Sequence, residues 1–224
     1  MFLFAATMLM AACEKEEPNN DNTLQLPKVE KIPNAVTDID GNVYDAIKIG
    51  SQVWMASNLR TTHFANGDTI PVGENMDGEM PYRYAPDGNE DNVSVYGYLY
   101  NGVAAMHSAG LCPDGWHLPS VAEWNRLADT LGGAVVAGGK LKATGTEFWT
   151  APNTAADNAS GFTALPAGYF KNGQFGGRST DGCFWTSSAD GASNASYRQL
   201  LSASGNLFDF SYSRSNAHSV RCVK

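Results

Sequence analysis

The chain has 224 residues, 43% hydrophobic and 17% charged, enough for one well-buried globular domain. The formal net charge is −8, and no cluster of lysine or arginine interrupts that balance. This excludes a nucleic-acid partner held through its phosphate backbone.

Residues 2–12 read FLFAATMLMAA and end at Cys13. The run is too short to cross a bilayer, which takes about 20 residues, and reads as the end of a secretory signal. Met10-Ala11-Ala12-Cys13 resembles a bacterial lipobox, which would make Cys13 the lipidated first residue of the mature protein and tie it to the outer membrane. The alternative is a buried hydrophobic segment with an ordinary cysteine. Residues 14–35 are polar and proline-punctuated, and are expected to be a flexible tether. Lys15-Glu16-Glu17 behind the cysteine resembles the surface-export signal of lipoproteins in the Bacteroides group. The expectation is an exported cell-surface lipoprotein, with a signal remnant at 1–13, a linker at 14–35 and a domain at 36–224.

Val36 to Met55 reads as strands, with tight turns at Asp40-Gly41 and Gly50-Ser51. Asp38, Asp40 and Asn42 have the look of a calcium loop but lack the later glutamate, so hairpin turn chemistry is the better account. Asp87 to Asp91 fails in the same way, with Tyr98 where the bidentate acid would stand. No metal or other cofactor is therefore expected, and nothing in the spacing supports calcium. Residues 61–94 are rich in Gly, Pro, Asn and Asp and predict a long surface excursion. Tyr96, Tyr98 and Tyr100 alternate, as one strand face would, and read as core. Val103 to Ala109 predicts a short helix.

Ser120 followed by Glu123 is a capping box, and Pro119 keeps Leu118 extended. Val121, Trp124, Leu127, Ala128 and Leu131 then recur at helical spacing before Gly132-Gly133, which predicts a helix over 120–131. Gly138 to Ala143 predicts a second short helix ended by Gly145. Further on, Asn172-Gly173 and Gly205-Asn206 mark two hairpins, one joining Phe162–Phe170 to Gln174-Phe175 and the other joining Tyr197–Leu201 to Leu207–Tyr212. Phe184-Trp185-Thr186 and His218 to Val223 supply the remaining strands. Helices early and antiparallel strands late give an α+β domain.

CPDGWHLPSVAEW, VTDIDGNVYDAIKIGSQVWMASNL, GYLYNG, GGKLKATGT and SVRCVK stand in order along about 36–224. Together they resemble the Fibrobacter succinogenes major paralogous domain. That family in turn resembles the C-type-lectin-like fold and, more distantly, the formylglycine-generating sulfatase-modifying enzymes. The lectin-like resemblance implies a Cys112–Cys222 disulfide, which an exported protein permits. Closing a loop of about 110 residues would stabilise the fold by roughly 4–5 kcal/mol. Cys183 is left over as a small buried residue at a strand edge.

Neither resemblance carries its chemistry with it. The paired cysteines of the formylglycine-generating enzymes have no counterpart here. The calcium-dependent sugar motif is replaced by Ala151-Pro152-Asn153. His63, His107, His117 and His218 form no metal or nucleophile motif, and His117 reads as structural at the helix entry. No catalytic residue is expected. The leading expectation is a non-catalytic module that binds an extracellular glycan or surface protein through loops 149–160, 169–178 and 203–214. Trp149, Asn153, Asp157, Asn158, Phe175, Arg178 and Tyr212 are the candidate ligand residues, offering stacking faces and directional hydrogen bonds. The alternatives are an adhesin or envelope spacer without a small ligand, and a divergent formylglycine-generating-like oxidase.

Overall fold

The protein is described by a computed structural model over residues 29–74 and 79–224. The lipobox with Cys13 and the linker up to residue 28 lie outside these residues. The first strand, β1 (Glu30–Thr37), begins inside the expected tether. It pairs antiparallel with β2 (Val43–Ile49), which pairs with β3 (Gln52–Met55). Its burial is slight, so composition alone gave no sign of it; backbone pairing to β2 holds it in place.

The turn between β1 and β2 is closed by Asp38. One carboxylate oxygen accepts the backbone N–H groups of Asp40 and Asn42, and the other accepts Asn42 Nδ2–H and the Tyr44 hydroxyl at 2.6 Å. Asp38 is spent on turn geometry, as the sequence predicts, while the Asp40 carboxylate reaches across to Thr61, Thr62 and His63.

The second sheet is built from β4 (Arg83–Tyr84), β5 (Leu99–Asn101), β6 (Ala167–Lys171), β7 (Gln174–Arg178), β8 (Asp181–Asp190), β9 (Asn194–Leu201), β10 (Leu207–Ser213) and β11 (Ala217–Ser219). Its order is β10-β9-β8-β6-β11-β5-β4, with β7 paired to β6. Both expected hairpins are present. Asn172 and Gly173 have φ of 53° and 77°, the left-handed pair that a type I′ turn needs. The last strand is shorter than expected. Beyond Ser219 the chain leaves β11 and runs back to the amino-terminal sheet: Leu59 N–H donates to Val220 C=O, Met55 N–H to Cys222 C=O, and Val53 N–H to Lys224 C=O.

Among the described residues four α-helices complete the domain, α1 (Val93–Tyr96), α2 (Gly102–Ala105), α3 (Val121–Thr130) and α4 (Ala134–Leu141), with two short 3-10 turns at Pro86–Gly88 and Glu90–Asn92. The capping box of α3 is complete. Ser120 Oγ accepts Glu123 N–H at 3.2 Å, and Glu123 Oε2 accepts Ser120 N–H at 2.8 Å. Tyr96 ends α1 rather than sharing a strand face with Tyr98 and Tyr100, because Gly97 turns the chain with φ of 71°. All three tyrosines are nonetheless core residues.

The main core lies between α3, α4 and one face of the large sheet. Trp54, Trp124, Phe162 and Phe184 meet there, with the Trp54 and Trp124 rings 4.9 Å apart. Each such side chain stabilises the fold by about 1.5–3 kcal/mol on full burial. The bond between Cys112 and Cys222 forms as the lectin-like resemblance implies, and ties the entry to α3 to the carboxyl-terminal segment beyond β11. Mixed helices and sheets, with strands predominating, make this an α+β fold.

Candidate functional site

The sheet has two faces: α3 and α4 cover one, and α2 with a second core cluster packs on the other at Trp185 and Ala195, leaving side chains of β10 exposed there. Leu200, Leu207 and Phe184 point into the helix-covered core. By the two-residue alternation of a strand, Phe208, Phe210 and Tyr212 of β10 point the other way. Their cross-strand partners on β9 are Gln199, Tyr197 and Ala195. On β8 the neighbours are Cys183, opposite Gln199, and Trp185, opposite Tyr197.

The result is a row of rings toward the β10 edge of that second face. Phe208 and Phe210 lie 6.1 Å apart and nearly parallel, and Phe210 lies 5.8 Å from Tyr197. Tyr197 in turn stacks on the buried His218 at 4.4 Å. Phe210 is 45% and Tyr212 37% exposed, while Tyr197 is half-buried. Polar groups border the rings. Lys171 Nζ sits 3.9 Å above the Tyr212 ring, a cation–π contact that fixes both side chains. Asp181 accepts Gln199 Nε2–H and the Thr180 hydroxyl, each at 2.5 Å.

Electrostatics keep this face neutral apart from Lys171 and Asp181. Burial first, then the nearby Cys183 and Asp181, hold the Tyr197 hydroxyl far above its ordinary range. Burial, aided by Asp181, likewise pushes the Cys183 thiol well up, so it is a packed thiol rather than a ready nucleophile. What the arrangement offers is apolar ring surface edged by hydrogen-bonding groups. Among the described residues no group of three or more His, Cys, Asp or Glu is placed to hold a metal ion.

The seven ligand residues read from the sequence are scattered over three places. Trp149 is 1% exposed and its indole N–H donates to Ala164 C=O at 2.9 Å, so it is core rather than a stacking platform. Asn153 is also buried, its Nδ2 bonding the carbonyls of Ala143 and Gly145. Asp157 and Asn158 brace turns in the same loop, accepting from Ala159 N–H and Thr163 N–H respectively. Phe175 packs on its cross-strand partner Phe170 at 4.9 Å inside the β6–β7 hairpin, and Arg178 pairs with Asp87, which fastens that hairpin to the loop at 86–92. Only Tyr212 belongs to the ring face. Of the amides and aromatics in loops 149–160 and 169–178, Trp149 and Asn153 are buried, while Asp157 and Phe175 keep an exposed surface.

Tyr197, Phe208, Phe210 and Lys171 were missed. The signal was present: Phe208-Asp209-Phe210-Ser211-Tyr212 sets an aromatic at every second position of a predicted strand. Reading it as a face required knowing that the helices cover the opposite side.

No curated protein and no solved structure matches the chain. The model of the Fibrobacter succinogenes major domain matches residues 47–224, the span that runs from β2 through the ring face to the carboxyl terminus. The chain belongs to the Fibrobacter succinogenes major domain family.

Proposed function

We propose that this protein is a non-catalytic binding module with a C-type-lectin-like architecture, anchored to the outer membrane through Cys13, that recognises an extracellular glycan on the ring face of its large sheet. The observation that carries the reading is the row Phe208, Phe210 and Tyr212 beside Tyr197, at the β9–β10 end of the sheet face opposite α3 and α4, where Phe210 and Tyr212 remain exposed. Such rings stack against the C–H faces of a sugar, while Lys171 and the Tyr212 hydroxyl are placed to bond its hydroxyl groups. The closed Cys112–Cys222 bridge is in keeping with an exported protein.

The test is a glycan array probed with the purified protein, with and without a calcium chelator, alongside the Phe210→Ala and Tyr212→Ala variants. Chelator-resistant binding to one sugar class, lost in both variants while the fold is retained, is the expected result. Binding that both variants keep in full overturns the site. Binding abolished by the chelator overturns the direct, calcium-free mode.

A second reading rests on the end of the sheet. β10 is the terminal strand and pairs only with β9 among the described residues. Its free backbone edge is suited to receiving a strand from a protein partner, as in an adhesin or envelope component. No binding on the array, together with a surface protein cross-linking at β10, would favour it.

A further inference from the structure

A second feature lies apart from the ring face, where Cys112 meets Cys222. Two clefts flank this bridge and share Leu111 and Cys112 as a common wall. One, of about 390 Å³, is lined by Met106, Leu111, Trp116 and Leu118, with His107 and Ser187 at its border. The other, of about 260 Å³, is lined by Thr61, His63 and Asp114, with Asp38 at its base. None of the lining residues belongs to the ring face.

The walls are fixed before anything binds. His107 stacks on Phe64 at 4.4 Å. His63 Nδ1 lies 2.5 Å from Asp40 Oδ1, and Asp40 also accepts Thr62 N–H and the Thr61 and Thr62 hydroxyls. His117 Nε2 lies 2.7 Å from Glu123 Oε1, the carboxylate that caps α3. A preformed cleft of this kind loses little freedom on binding.

The two lobes differ in chemistry. The larger is mainly apolar, with one indole, and is edged by His107, His117 and Ser187. The smaller carries carboxylates and neither lining contains a lysine or arginine. The oxygens of Asp38 are taken up by its turn, but Asp114 is exposed and has no ion-pair partner among the described residues. Charge complementarity therefore specifies a cation next to an apolar group. We infer that this double cleft docks a peptide segment of a partner protein, an aliphatic side chain seated against Trp116 and the following lysine or arginine set against Asp114. A glycan is the poorer occupant, since Met106, Leu111, Trp116 and Leu118 make the larger lobe mainly apolar.

The probes are acetyl-Leu-Leu-Lys-amide and acetyl-Leu-Leu-Glu-amide, titrated against the full chain while amide and indole N–H resonances are followed by NMR. The lysine peptide is expected to shift the Trp116 indole and the Asp114 amide saturably, and the glutamate peptide to bind more weakly. Asp114→Asn, on an exposed loop position, is expected to weaken the lysine peptide about threefold to fivefold, the size of one exposed ion pair. Tyr212→Ala should change nothing here, which separates this site from the ring face. Equal binding of the two peptides, no saturable shift at Trp116, or a response to glucosamine instead of peptide each overturns the inference.

Discussion

Arg221 and Asn58 stand 163 positions apart and are joined by two hydrogen bonds, Arg221 Nε–H and Nη2–H both donating to Asn58 Oδ1 at 3.1 and 2.8 Å. The guanidinium is fully buried and has no carboxylate beside it. Its third contact is Nη1–H to Phe162 C=O, and its carbon lies 4.1 Å from the Phe162 ring centroid. Burial draws its pKa down to about 9. Asn58 also donates to Tyr96 C=O, so this one amide joins the carboxyl-terminal segment beyond β11 to the last residue of α1.

The first prediction concerns this pair. Asn58→Ala strips two of three hydrogen bonds from a buried cation and is expected to lower stability by about 3 kcal/mol. Arg221→Met removes the charge as well. In a double-mutant cycle read by urea unfolding, the combined variant should lose clearly less than the sum of the two singles, with a coupling of about 1–3 kcal/mol. Additive losses would mean that the two residues stabilise the fold separately.

Lys142 is the second. Its ammonium is buried and donates to the carbonyls of Thr154, Leu201 and Ser204 at 3.0, 2.9 and 2.8 Å, closing three loop ends onto the end of α4. Burial lowers its pKa to about 8. The two glycines ahead of it allow the approach, since a Cβ at Gly138 would meet Asn206 O at 2.1 Å and one at Gly139 would meet Ala155 O at 2.3 Å. Lys142→Met keeps the length of the side chain but orphans three carbonyls, with an expected loss of about 3 kcal/mol by thermal or urea unfolding. A loss within about 0.5 kcal/mol, the range of a surface change, would show that water replaces the ammonium there.

These two residues mark what the sequence could and could not yield. The capping box of α3 and the Asn172-Gly173 hairpin were legible because their chemistry is local: each closes within four residues. GGKLKATGT was read as a helix and its stop, and its role as a staple was invisible, since the acceptors at 154, 201 and 204 are brought in by the fold. The same limit hid the burial of two ligand candidates, Trp149 and Asn153. An aromatic or amide in a loop looks the same in sequence whether it faces solvent, as Tyr212 does, or core, as Trp149 does.

That contrast gives a third prediction. Trp149→Ala empties a fully buried site under β8 and is expected to destabilise by about 3–5 kcal/mol. Tyr212→Ala, on the open face of an end strand, should leave stability within about 1 kcal/mol once its cation–π contact with Lys171 is lost. Melting curves of the two variants decide it. A Trp149→Ala protein as stable as the parent would return that residue to the list of ligand candidates.

The last prediction is a pH dependence, and it falls on His218. Its ring is sandwiched between Trp185 and Tyr197, each centred 4.4 Å away, and neither ring nitrogen has a hydrogen-bond partner among the described residues. Burial, with Lys171 as a smaller second cause, depresses its pKa from the ordinary 6.5 to about 3. Between those two values the unfolded chain takes up a proton that the folded one refuses. Stability is therefore full above about pH 6.5 and falls as the pH drops, by about 1.4 kcal/mol per unit, or about 2 kcal/mol by pH 5. Asp40 and Glu123 also lose stability on acidification: burial opposes their ionisation, but hydrogen bonds led by Thr62 N–H and Ser120 N–H outweigh it and hold both below their ordinary range. Their window opens only as the pH nears the ordinary carboxylate values of about 4, so it leaves pH 5 to 6.5 to the histidine. His218→Phe keeps a ring between Trp185 and Tyr197 and removes both unpartnered nitrogens. It is expected to match or exceed the parent at pH 7 and to flatten the fall in melting temperature between pH 6.5 and 5. Parallel curves for the two proteins would place the acid sensitivity elsewhere and show that His218 accepts a proton in the folded state.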